Sequence, residues 1–174
     1  SSVFFLMPFY LVQVLGYPAS RAGLLMVPGS IGMAVMGPIS GRLSDRIGTR
    51  WPTVLGLALS SSAMFLFSRL GVNSSWTHVV IGMVMSGLGM GIFASPNTSA
   101  VMSSLSRERY GIVSAFLNLT RTSANVTGVA MATAVVSVTM GSLGYEPSLG
   151  AVAGSDGEGV RAAFVSGLNR AFLV

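Results

Sequence analysis

The chain has 174 residues, of which 51% are hydrophobic and 9% charged, with a net charge of +5. Soluble domains carry about 25% charged residues, so this composition excludes an ordinary soluble domain and makes lipid the expected solvent. The basic residues are all arginine and sit between apolar runs rather than along one polar face, which argues against a nucleic-acid surface, and the lack of cysteine excludes disulfide or Cys-metal frameworks.

Charge-free runs define the elements in chain order. Val3 to Leu15 is apolar except for Gln13 and is too short to span a bilayer by itself. Helices are expected at about 1–15 (partial), 22–41, 52–69, 77–101, 111–140 and 168–174 (partial). The four complete runs reach the roughly 17–25 residues that a membrane helix needs. In lipid the backbone must satisfy its own hydrogen bonds, so a run of this length reads as a helix. The fold class is therefore an all-α integral membrane protein. Pro28 and Pro96 fall inside spans and predict kinks. Gly82, Ser86, Gly89 and Phe93 share one helical face and predict close helix packing. Ser1-Ser2 at one end and Ala171-Phe172-Leu173-Val174 at the other, both beside or within apolar runs, predict a piece of a longer chain.

Loop charges orient the spans. Arg42, Arg46 and Arg50 lie in one connection and Arg107 and Arg109 in another, two spans later. The connection at 70–76 has no charge, and the one at 141–160 carries Glu146, Asp156 and Glu158 without a basic residue. The positive-inside rule places loops 41–51 and 102–110 in the cytoplasm and loops 70–76 and 141–160 outside, in a multi-pass protein of the plasma (inner) membrane. Within the first basic loop, Gly41 and Gly48 permit tight backbone conformations. Asp45, flanked by Arg42 and Arg46, is expected to form ion pairs and to face the positive end of a neighbouring helix. Such a latch can be made in one conformation and broken in another. The plain alternative is a solvated loop whose arginines only set topology.

Arg121 lies about ten residues, hence about 15 Å, into its helix. An arginine at that depth costs at least ~2.5 kcal/mol on insertion scales, so it is expected to face the protein interior and to have a partner. Ser114, Asn118, Arg121, Asn125, Gly128 and Ala132 recur at intervals of four and three and form one polar, small-residue stripe. Two readings stay open. The stripe faces a cavity, where Arg121 binds anionic groups or tunes a carboxylate elsewhere, or it holds two helices together. Gln13 is either a substrate contact or interhelical glue. No carboxylate falls inside a complete span, so a proton-coupling acid is expected outside these residues. There is no Ser/His/Asp set, no metal-ligand spacing and no cofactor motif. Gly87-x-Gly89-x-Gly91 lies within an apolar run without a strand or a ribose-binding acid, so it is no nucleotide fingerprint. An enzyme is not expected, and neither are cofactors or metals.

The spacing G-x-L-x-D-R-x-G-x-R over Gly41–Arg50 resembles the loop signature of the major facilitator superfamily of transporters. Phe9–Gly16 and Ala22–Pro28 look like the opening of the second half of its fourteen-helix drug:proton antiporters. Gly87–Phe93 with Ser95–Ala100, and Arg109–Gly111 leading to Asn118–Arg121 and Gly128–Ala130, are similar to later helices of that group. The resemblance implies a C-terminal six-helix bundle with its first and last helices truncated, working by alternating access against an absent N-terminal half. It makes Gly41, Asp45, Arg46, Gly48 and Arg50 a gating loop. Its implied partners are a small-molecule substrate, protons and the bilayer, and its implied task is efflux of drugs or amphipathic compounds. Ser44 and Thr49 occupy variable places in the signature. Two alternatives remain: a facilitator for another metabolite or a siderophore, and a non-transporting membrane protein.

Overall fold

A computed structural model of the chain describes residues 2–103, 109–145 and 158–172. The described elements are helical. They are α1 (Ser2–Phe9), continued by a π-helical turn (Tyr10–Val14), then α2 (Ala19–Ile47), α3 (Arg50–Phe67), α4 (Trp76–Ser103), α5 (Tyr110–Ser142) and α6 (Glu158–Ala171). Among the described residues, α2, α4 and α5 are long and apolar enough to cross a membrane. The expected fourth complete span, α3, falls short of them. It has 18 residues, opens on Arg50 and carries Ser60, Ser61 and Ser62 in succession.

Two boundaries depart from the charge pattern. Residues 41–47, expected in a loop, are the last turns of α2. Nothing between Gly41 and Ile47 breaks a helix, and the Ser44 hydroxyl donates to the Gly41 carbonyl at 2.8 Å within it. Only Gly48 and Thr49 separate α2 from α3, and Gly48 has φ +83°. Charge therefore marks where the apolar run of α2 ends, not where the helix stops. At the other end, α6 begins at Glu158 rather than near 168, because Ala163, Phe164, Val165 and Leu168 form a buried face. The expected outer loop thus loses its end to α6, and its residues 146–157 lie outside the described set, as do residues 104–108 of the second basic loop. The α-helices α2 and α4 run on through Pro28, Pro38 and Pro96.

The chain divides into two compact units. The first comprises Ser1–Leu25, Phe65–His78 and Thr122–Val174. Its core is built from large side chains, with Leu6, Met7, Tyr10, Leu11, Phe67, Val136, Met140, Phe164 and Leu168 all fully buried. The Phe67 and Phe172 rings meet at 5.4 Å between centroids. The π-helical turn closes with Leu15 N–H on the Tyr10 carbonyl at 3.1 Å, and Gly16, at φ +68°, lets Tyr17 N–H reach the Leu11 carbonyl at 3.0 Å. Two side chains then tie the turn after α3. The Tyr10 hydroxyl donates to the Gly71 carbonyl at 2.7 Å, and Asn169 Nδ2 donates to the Leu70 carbonyl at 2.9 Å.

The second unit comprises Met26–Met64 and Val79–Arg121 and is built differently. Its buried positions on α4 include Gly82, Ser86, Gly87, Gly89 and Gly91, so small residues let backbones approach closely.

Candidate functional site

Glycine contacts on α4 position the site in the second unit. A Cβ at Gly87 would overlap the Gly29 carbonyl of α2, and one at Gly91 would lie 2.8 Å from the Met33 carbonyl oxygen. On a second face, a Cβ at Gly56 of α3 would lie 2.7 Å from the Phe93 backbone nitrogen, and one at Gly89 would overlap Ser60. The expected small-residue face holds in part: Gly89 and Phe93 meet α3, while Gly82 and Ser86 are buried. The face through Gly87 and Gly91 toward α2 was not anticipated. All three glycines of Gly87-x-Gly89-x-Gly91 are thus accounted for by helix packing.

Beside Gly91, α2 and α4 border a cavity of about 390 Å³ that is open on one side, lined by Met33 and Gly37 of α2 and by Gly91, Ala94, Ser95, Thr98 and Ser99 of α4. Its apolar side is small-residue and thioether surface, and its polar side is three hydroxyls. Thr98 donates its hydroxyl hydrogen to the Ala94 carbonyl at 2.8 Å. That leaves the Thr98 oxygen free to accept, and Arg121 Nη2 donates to it at 2.6 Å. A guanidinium from α5 is thereby brought to the rim of the cavity. Arg121 thus has a partner in Thr98, and within this chain its side chain is otherwise exposed. The reason lies in α5 itself: residues 111–127 are exposed except for Val113 and Leu117, so this stretch packs little against the rest of the chain.

The other sequence-derived residues separate into groups. Ser114 and Asn118 share the exposed stretch of α5 with Arg121. Asn125 lies on the same helix but belongs to the first unit, as does Gln13, which is half-buried in the π-helical turn. Of the candidate gating residues, Gly41 packs on Ser95, where a Cβ would lie 2.8 Å from the Ser95 hydroxyl oxygen. Ser40 adds a hydrogen bond from its hydroxyl to the Ile92 carbonyl at 2.7 Å. Asp45 and Arg46 are exposed on the final turns of α2, and Arg50 is exposed at the start of α3. The ion pairs expected of Asp45 do not form among the described residues. On a helix Asp45 and Arg46, one position apart, point to different sides, whereas Arg42, three positions before Asp45, adjoins it without an ion pair.

Sequence reasoning missed Thr98, Ser95 and Gly37. The one signal available was a run of hydroxyl residues, Ser95, Thr98 and Ser99, late in an otherwise apolar span. Such a run reads equally well as ordinary helix–helix hydrogen bonding.

Comparison with known proteins bears on this geometry. A family profile described as Major Facilitator Superfamily matches residues 1–129. The chain is 33% identical over 125 residues to the uncharacterized transporter YebQ of Escherichia coli, covering 72% of this chain and 27% of that protein. It is 29% identical over 136 residues to the multidrug transporter protein MdtP of Bacillus subtilis, covering 78% of this chain and 25% of that protein. It is 29% identical over 116 residues to the riboflavin transporter RibZ of Clostridioides difficile, covering 67% of this chain and 25% of that protein. The chain thus spans about a quarter of the length of each of these relatives. No solved structure matches it.

Proposed function

The chain belongs to the Major Facilitator Superfamily, and we propose that it forms part of a secondary active transporter that exports drugs or other amphipathic compounds in exchange for protons. It is a multi-pass membrane protein of a family of transporters. The observation that carries the cargo class is the cavity between α2 and α4. Its wall of Met33, Gly37, Gly91 and Ala94 suits a flat apolar body, and its hydroxyls and the Arg121 guanidinium suit acceptor groups at one edge. The similarity to a protein named as a multidrug transporter supports the same reading.

In this reading Arg121, Asn118, Asn125 and Gln13 contact cargo or couple its passage to protons, and the coupling carboxylate lies outside the spans described here. Gly41, Asp45, Arg46, Gly48 and Arg50 act at the rim. Asp45, exposed on α2, meets a cationic or helix-terminal partner from the absent N-terminal half in one state of the cycle and releases it in the other. Loops 41–51 and 102–110 face the cytoplasm and loops 70–76 and 141–160 face outward, following the arginine bias. A second reading, transport of another small metabolite, is favoured by the similarity to a protein named as a riboflavin transporter.

The test is efflux of a fluorescent cationic dye and of riboflavin from cells expressing the intact protein, with and without an uncoupler. Uncoupler-sensitive dye efflux is the expected result. Riboflavin movement without dye efflux would move the assignment to the second reading, and efflux indifferent to the uncoupler would remove proton exchange. Arg121→Ala should reduce the rate at least about tenfold at equal expression, while Asp45→Asn should slow the cycle without changing which compounds compete.

A further inference from the structure

Pro96 opens a place in α4, and α2 fills it. An α-helix bonds each N–H to the carbonyl four residues back, and proline has no N–H to give. Pro96 therefore leaves the Ile92 carbonyl without its helical donor, inside an apolar span where lipid supplies none. The Ser40 hydroxyl of α2 donates to that same carbonyl at 2.7 Å. Ser40 is 1% exposed and Pro96 is buried, so the bond belongs to the packed interface of the two helices. Close approach makes it reachable: Gly41, the next residue of α2, packs on Ser95, the residue before Pro96. Pro28 and Pro38 vacate the Leu24 and Ala34 carbonyls in the same way, and among the described residues no side chain donates to either. The pairing is particular to Pro96.

The freed carbonyl sits in the stretch of α4 that walls the cavity. Gly91 precedes Ile92, and Ser95, Thr98 and Ser99 follow it, all lining the space. Gly37, three positions before Ser40, lines it from α2. A helix missing one of its backbone bonds at a proline bends more easily there. Beyond the break lies the turn that carries Thr98, whose oxygen accepts the Arg121 guanidinium at 2.6 Å. Ser40 thus holds, through one carbonyl, the segment of α4 on which the Arg121 contact depends.

We propose that Ser40 and Pro96 form one interhelical clasp, and that Ser40 is a positioning residue for the cavity. By holding the Ile92 carbonyl it sets the bend of α4, and so the place of Thr98 and of the guanidinium that Thr98 accepts. Ser40 acts through α4 and touches no cargo. The positioning role rests on the cavity being the cargo site; the clasp itself does not.

A double-mutant cycle on the intact protein tests both parts. In thermal unfolding in detergent, Ser40→Ala should lower Tm by about 2 °C, because the Ile92 carbonyl loses its donor. Pro96→Ala restores a backbone N–H four residues after Ile92, so in that background Ser40→Ala should leave Tm nearly unchanged. In cells at equal expression, Ser40→Ala should raise the KM for the exported compound, dye or riboflavin, about fivefold with kcat nearly held. The double variant should recover Tm yet keep the raised KM, because an unclasped α4 without its proline bend no longer sets Thr98. A purely structural bond would recover both. Equal Tm losses from Ser40→Ala in the two backgrounds overturn the clasp, and a wild-type KM in the double variant overturns the positioning role. An Arg121→Ala protein with wild-type KM would remove the cavity as the cargo site and the positioning role with it, while the Tm cycle still decides the clasp. Where Ser40→Ala does not yield folded protein, Ser40→Cys, a weaker donor of similar size, takes its place under the same outcomes.

Discussion

The two units solve one problem, burying helices against each other, with opposite materials. The first fills its interior with Leu6, Tyr10, Phe67, Phe164 and Leu168, and fixes the turn after α3 with directed bonds from Tyr10 and Asn169. The second brings backbone against backbone at Gly29 and Gly87, and at Gly56 and Gly89. Interdigitated large side chains resist sliding, because each one sits in a shaped hole. Glycine faces are smoother and gain dispersion energy from close approach instead. The cavity and the Arg121–Thr98 bond both belong to the glycine-built unit. Small residues thus do two things there: they hold α2 to α4 around Gly87, and they leave room beside Thr98.

The largest effect should come from breaking the backbone contact. Gly87→Val would push a branched Cβ into the Gly29 carbonyl, where no flexible chain end can give way. A loss of about 3 kcal/mol, or failure to fold, is expected in thermal unfolding of the intact protein in detergent. Gly23→Ala is the matched control: nothing lies within 4 Å of its Cβ, so stability should hold or rise slightly. A harmless Gly87→Val would mean that the glycine face is not what holds the second unit.

A smaller effect is expected at the directed bonds of the first unit. Tyr10→Phe and Asn169→Ala each remove a donor from adjacent carbonyls, Gly71 and Leu70. Each should cost about 1 kcal/mol, with faster amide exchange confined to the turn that follows α3. Exchange that rises evenly through the first unit would show that these bonds do not act locally.

Thr98→Val should have the smallest effect on stability, about 0.6 kcal/mol. It removes the acceptor that holds Arg121 at the cavity rim. Transport should suffer more than stability, with the apparent affinity for cargo changed and Tm nearly constant. Equal losses in both would assign the bond to packing alone.

The boundary of α2 shows how far sequence reading reaches. Arg42, Asp45 and Arg46 end the charge-free run, yet they occupy helix, because a change from apolar to charged side chains does not by itself break backbone hydrogen bonding. Arg121 shows the converse. Its depth called for a partner, but Thr98 is 23 positions away and resembles any other hydroxyl in the run. The glycines of α4 were legible as close-packing residues, though not as two faces serving two different neighbours.

Sequence by itself determined that this is a helical membrane protein and where its apolar segments run. The reason is that lipid offers the backbone no hydrogen-bond partner, so long charge-free stretches have one solution. The spacing of Gly, Asp and Arg near the end of α2 was enough to indicate the family. Tertiary structure decided which glycine meets which backbone, that Ser95 and Thr98 face a cavity, and that Arg121 reaches Thr98. Those outcomes depend on how each helix is rotated about its axis, and rotation is settled by contacts between segments far apart in the chain.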